Sequence, residues 1–279
     1  MGLNLAEPWL AFKHAAVRQL AFALASPNIL RHIPPELDLT HRFELHTDAF
    51  WQQHFQAYLP RLIALDQQPQ PLLAFLAQLK STRLGLRFEM LIWFWLLDDD
   101  YHPYQLLGHS IQKIEGARTL GELDFVVLNR ETLEVEHWEV AVKYYLAEAD
   151  FSLNHWYGLN RTDRLSRKLQ HFTQKQFQFQ QALDYPIQRR FCVLKGQLYL
   201  PHPHQPEHIP AWVNLTRRLG IWGRQIPSCN YYRLQRHEWL CPHLQLSSLP
   251  NPWCTDGLYK HTELQQYYMY RQSALLTYG

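Results

Sequence analysis

Apolar positions in the first third of the chain recur every three to four residues. Pro8 opens a segment in which Ala11, Ala15, Leu20 and Leu24 follow a helical pattern that stops before Pro27. The Pro34–Pro35 pair then breaks the chain. A second helix is predicted over 48–65, where Phe50, His54, Phe55 and Leu59 lie near helical spacing. Residues 67–71 form a polar, proline-containing linker. Residues 72–97 carry a long helical pattern, broken near 82–85, with Glu89 inside its apolar second half. The carboxylates of Asp98, Asp99 and Asp100 end it, because negative charge is unfavourable at a helix C-terminus.

The period then shortens. Three strands are predicted over 106–114, 122–128 and 136–146, and turn-type residues at 129–131 make the second and third a hairpin. A helical period returns over 161–183: Leu165, Leu169, Phe172, Phe179 and Leu183 fall on one stripe, with Gln176 filling the remaining step. Residues 191–200 read as a strand kinked at Gly196. Beyond Pro201 a helix is expected over 211–219, a strand over 231–240 and a last helix from Glu263. The middle of the chain thus runs helix, three-strand meander, helix, strand. That order predicts an α/β fold, a mixed sheet with helices on its faces. The expected organisation is a helical N-terminal extension (1–75), a core (76–200) and a mixed C-terminal extension packed on the core (201–279).

Composition narrows the function. Of 279 residues, 47% are hydrophobic and 19% charged, enough for a large core and against global disorder. The 14% of aromatic residues read chiefly as core filling. The net charge is only +2, so any nucleic-acid footprint must be local. Cys192, Cys229, Cys241 and Cys254 form no CxxC pair, and reduced thiols are expected rather than a zinc site. His202, His204 and His208 lie in a proline-rich stretch and read as loop rather than as metal ligands. No secretory leader is evident, and the most apolar run, 90–97, is far short of the roughly 20 residues a membrane span needs. A soluble, cytoplasmic protein with no membrane partner is expected. GxSxG, GxxxxGK[ST] and GxGxxG are absent, which removes the hydrolase elbow and the common nucleotide loops.

One cluster suggests chemistry. On a strand over 122–128, Glu122, Asp124 and Val126 share a face. On the next, Glu139, Ala141 and Lys143 share a face. Pairing the two as a hairpin brings Asp124 beside Glu139 or Lys143. Two carboxylates and an ammonium group suit metal-assisted phosphodiester hydrolysis, in which Mg²⁺ or Mn²⁺ takes oxygen ligands and lowers the pKa of a bound water. A salt bridge between neighbouring strands is the plainer alternative. On the following helix, Arg161, Arg164, Lys168 and Lys175 make a basic row that either contacts nucleic-acid phosphates or is a solvated face. Asp163 lies at the start of that helix, as a cap or at the site entrance.

The runs GELDFVV (121–127) and EVAVK (139–143) resemble the signature of the PD-(D/E)XK nuclease-like superfamily, whose restriction-endonuclease-like core has the same order of elements. The segments HAAVRQLAFALASPNIL, RLGLRFEMLIWFWL, GELDFVVL, WEVAVKYYL and GLNRTDRLSRKL resemble, over most of the chain, an uncharacterised bacterial family, domain of unknown function 1853, which has been grouped with those proteins. The resemblance implies Asp124 as a metal ligand, Lys143 as the motif lysine and Glu89 as the carboxylate of the first core helix. The pattern departs at Ala141, where an acidic residue is expected. Glu139 stands four residues before Lys143 instead of two, a Cα separation of roughly 13 Å on a strand. Glu139 leaning inward, or Glu89, would complete the metal set. Two functions remain open: a metal-dependent nuclease acting on DNA or RNA, or a nuclease-like fold that has lost its chemistry and binds nucleic acid or protein.

Overall fold

The computed structural model describes residues 7–116, 118–203, 208–225, 230–250 and 255–272. The helical start of the chain forms as its spacing predicts. A 3₁₀ turn, Pro8–Ala11, leads into α1, Ala15–Ala25, whose C-cap Ser26 is the residue before Pro27. Every residue from Ala16 to Leu24 is buried, so α1 is enclosed rather than half-exposed. Helix α2, Asp48–Gln67, is capped by Thr47, whose Oγ1 accepts from Phe50 N–H at 3.1 Å. The long pattern over 72–97 is two helices, α3 (Gln70–Leu76) and α4 (Leu84–Leu97). Helix α3 starts inside the expected linker, because Pro71 takes an opening position where its missing N–H costs nothing.

Strands β1 (Tyr104–Glu115), β2 (Arg118–Asn129) and β3 (Glu134–Ala147) form an antiparallel meander. A short β4 (Trp156–Tyr157) pairs with the end of β3. Helix α5, Leu165–His171, runs into a π-helical turn, Phe172–Gln176. A small separate hairpin follows, β5 (Gln181–Ala182) and β6 (Tyr185–Pro186). Strand β7, Arg189–Pro201, then lies parallel to β3. Strands β8 (Gly220–Gly223), β9 (Tyr231–Arg233), β10 (Gly257–His261) and β11 (Tyr267–Tyr270) extend the same sheet, in the order β1-β2-β3-β7-β8-β11-β10-β9. The result is a mixed α/β fold around one large sheet, to which the strands after Pro201 add edge to edge. No described helix is long and apolar enough to cross a membrane.

Four expected elements differ. The helix expected over 161–183 has only seven α-helical residues plus the π turn, where Phe177 N–H bonds Phe172 C=O, and its end becomes the first strand of the β5–β6 hairpin. Over 211–219 there is no helix: Trp212 C=O accepts from Arg31 N–H and Val213 bridges to Leu30, so the backbone is already committed to the N-terminal segment. The strand expected over 231–240 stops at Arg233, and a 3₁₀ turn, Arg236–Trp239, follows, with Gln235 and Glu238 capping each other. Beyond Glu263 the chain forms β11, in which Tyr268 and Met269 are both fully buried. A strand covered on both faces shows no alternation and is easily read as a helix.

The core lies on both faces of the sheet. On one, Phe125, Val127, Trp138, Val140, Val142 and Val193 pack against α1, α2 and α4. On the other, Ala141, Tyr145, Cys192, Leu194 and Leu198 pack with Leu165, Leu169 and Phe172 of α5 and its π turn. Gly196 lets β7 come this close to β3: its φ is +126°, and a Cβ there would lie 1.9 Å from Lys143 C=O. Cys192 and Cys241 are buried free thiols; Cys229, Cys254 and His204 lie outside the described residues.

Trp138 is the centre of the larger core. It is fully buried, its ring lies 4.5 Å from His46 and 4.9 Å from Tyr104, and its Nε1–H donates to Glu136 at 2.7 Å. Trp138→Ala should therefore lower the unfolding free energy by about 3–5 kcal/mol. The check is urea denaturation: the midpoint should fall with the slope preserved, and a loss under 1 kcal/mol would contradict this account of the core.

Candidate active site

Strands β2 and β3 pair from Asn129↔Glu134 up to Phe125↔Trp138, and there the ladder ends. Beyond that point β2 pairs with β1, and β3 with β7. At the parting, side-chain oxygens replace the next rung. Val140 N–H donates to Asp124 Oδ2 at 2.8 Å, and Asp124 N–H reaches Glu139 Oε1 at 3.4 Å. The fork between the strands thus holds two carboxylates, each tied to the other strand's backbone.

Glu139 is 1% exposed, and donors hold both of its oxygens. His137 Nε2–H donates to Oε1 at 2.7 Å, and Gln176 Nε2–H donates to Oε2 at 2.7 Å. His137 is two residues before Glu139 on the same strand face. Burial pushes its pKa down to about 3, so this contact is a hydrogen bond from a neutral imidazole and not an ion pair. Gln176 gets there through the π turn, and it also bonds Glu122 C=O at 3.3 Å. π turns inside helices recur at functional sites.

The fork is electrostatically costly. Burial pushes Glu139 up to about 7, against the relief from Gln176 and Lys168. Asp124 is also raised, first by burial and then by the charge of Glu139. The charge of Glu89 adds to both. Glu89 stands on α4, where its Oε1 meets His109 Nε2 at 2.7 Å, and the His109 ring stacks on Trp93 at 3.9 Å. The cation acting on both Asp124 and Glu139 is Lys168. Burial lowers its pKa and the two carboxylates oppose that. Among the described residues, no three Asp, Glu, His or Cys side chains converge as a ready metal site.

The other expected site residues are dispersed. Lys143 shares a strand face with Glu139, but its Nζ pairs with Asp163 Oδ2 at 2.8 Å, and Tyr145 OH donates to the same carboxylate at 3.3 Å. The basic row is not one helix face. Arg161 and Arg164 precede α5 and lie over the Tyr157 ring, at 4.4 and 5.1 Å. Arg161 is also neutralised by Glu148, at 2.7 and 2.8 Å. Lys175 is exposed on the π turn. Lys168, on α5, has its Nζ 4.0 Å from the centroid of the Phe172 ring, and its charge lowers the pKa of both Asp124 and Glu139. Sequence reasoning missed His137 and Gln176, although Gln176 had a signal: it is the one polar residue on the apolar stripe.

The raised Glu139 pKa gives a pH prediction. Between about 4.5 and about 7 the folded protein keeps a proton that the unfolded chain releases, so this group's stabilising contribution is complete at low pH and is lost as pH rises. Buried His46, His54 and His137 have lowered pKa values and act in the opposite direction, so the comparison must be with Glu139→Gln. The variant's thermal midpoint relative to wild type, measured without metal, should improve steadily across that window. A difference independent of pH would mean Glu139 titrates normally.

No curated protein and no solved structure matches the chain. A family model described as Domain of unknown function (DUF1853) matches residues 18–273. That span contains the fork, both layers of core and the strands beyond Pro201, and the chain belongs to this family.

Proposed function

We propose that the protein is a metal-dependent hydrolase of nucleic-acid phosphodiester bonds, built on a PD-(D/E)XK-like core running from α4 to β7. The order α4, β1, β2, β3, α5, β7, with β7 parallel to β3, supports that core. The observation that carries the function is the fork itself: a buried Glu139 and a half-buried Asp124 with raised pKa values, a third carboxylate close enough to raise them further, and one lysine acting on both. Strongly perturbed groups that meet in one place are a marker of function.

The residues fit a Mg²⁺ or Mn²⁺ ion. Asp124 Oδ1 and Glu89 Oε2 accept no hydrogen bond among the described residues, so they would hold it, with waters and substrate phosphate completing the shell. The ion would supply a more acidic bound water and offset charge on phosphorus. Glu139 keeps the negative potential of the fork high while His137 and Gln176 fix its rotamer. Lys168, whose charge lowers the pKa of both carboxyls, would steady the attacking water and the developing charge, the role that the motif pattern gives to Lys143. Ala141, at the expected acidic position, is packed against α5.

A second reading, a module that binds without cleaving, is favoured by one observation: both Glu139 oxygens are already taken. Kinetics separate the two. Under the hydrolase reading, Asp124→Ala abolishes both Mn²⁺ binding and cleavage of mixed DNA and RNA substrates. Lys168→Ala keeps Mn²⁺ binding by calorimetry and lowers turnover by about 10²–10³-fold, as for loss of one electrostatic stabiliser. Lys143→Ala should cost less than Lys168→Ala. Cleavage at the wild-type rate by the Asp124 variant would sink the assignment; metal binding without cleavage of any substrate would favour the binding module.

A further inference from the structure

Beside Lys143 lies a cleft of about 520 Å³ whose lining includes Arg83, Gly85, Lys143, Asn160, Asp163 and Arg236. We propose that this cleft binds the sugar–phosphate backbone of a single-stranded nucleic acid and leads it on to the cations of α5. The nucleic-acid assignment rests on the reading of the fork given above; the binding itself is testable without hydrolysis.

Three cations from distant parts of the chain meet here. Arg83 immediately precedes α4, Lys143 is on β3, and Arg236 opens the 3₁₀ turn after β9. Lys143 is paired with Asp163, whereas Arg83 and Arg236 have no carboxylate partner among the described residues. The cleft is therefore positive after its own carboxylate is counted. Arg236 lies over the Trp239 ring, its guanidinium 3.9 Å from the ring centroid, and Trp239 also lines the cleft. A cationic groove with aromatic rings suits a single strand, whose backbone can follow a concave wall.

The floor of the cleft adds donors. The first residues of α4 line it, and no side chain caps that helix end. Gly85 sits in this first turn, where an added Cβ would meet nothing within 4 Å. The glycine leaves the backbone uncovered on the cleft side. A second cleft of about 340 Å³ is lined by Thr162, Asp163, Arg167, Lys168 and His171. Asp163 lines both clefts, so a strand crossing it passes from Arg83 and Arg236 to Arg167 and Lys168 of α5.

The test is fluorescence anisotropy with a labelled mixed-sequence 12-nucleotide strand in EDTA, titrated over a range of salt. Arg83→Gln with Arg236→Gln should weaken binding by about tenfold at low salt and reduce the log–log salt slope by about 1.4, from two phosphate contacts. Gly85→Leu leaves the charge unchanged and fills the cleft. It should weaken binding severalfold without lowering the thermal midpoint, because leucine is favoured over glycine in a helix. Asp163→Asn releases Lys143 and should tighten binding. Arg130→Gln, at the far end of β2, is the control and should change nothing. Wild type failing to bind, a duplex binding as tightly as the strand, or Gly85→Leu and the double variant both matching wild type would overturn the proposal. Cleft-dependent binding without metal-dependent cleavage leaves this inference standing and removes the hydrolase reading. Asp124-dependent cleavage that ignores the cleft variants does the reverse.

Discussion

The parallel pairing of β3 with β7 is the contact on which the rest of the molecule depends. It runs from Glu136↔Arg189 to Leu146↔Tyr199, and it places β3 in the middle of the sheet with helices on both faces. A strand so placed must bury alternate residues on each side. One side is met by Trp138, Val140 and Val142. The other side carries His137, Glu139, Ala141, Lys143 and Tyr145, so three polar side chains sit on a face that α5 covers. Gly196 is needed for the pairing to close, and the close approach it permits falls at the Lys143 backbone.

That placement explains the fork. With Glu139 buried, its charge must be answered by donors or be given up. His137, Gln176 and the Asp124 backbone answer it, and the Val140 N–H does the same for Asp124. The compensation is incomplete, since both carboxyls remain raised. A buried polar network that leaves charge uncompensated costs stability, and here that cost falls at the end of a β ladder. The same geometry separates the two lysines. Lys143 lies beyond the fork and has Asp163 as its partner, while Lys168, one turn into α5, is the lysine whose charge lowers the pKa of both carboxyls.

Much of this was legible in the sequence, for local reasons. The spacing of apolar residues gave α1, α2 and α4, and alternation with turn residues gave the β2–β3 hairpin and its buried face of Phe125, Val127, Val140 and Val142. Asp124 and Glu139 come together because hairpin register follows from the turn and the alternation alone. Tertiary contact decided the rest. The chain over 211–219 gave up a helix for backbone bonds to the N-terminal segment, and β11 is a strand because neighbours cover both of its faces. Gln176 reaches the fork only because α5 packs across β3 and then widens into a π turn, and Arg83 and Arg236 meet Lys143 only when α4 and the last strands join the sheet. Periodicity reports which face of an element is buried; it carries no information on which distant element covers that face, and the candidate site is made of such coverings.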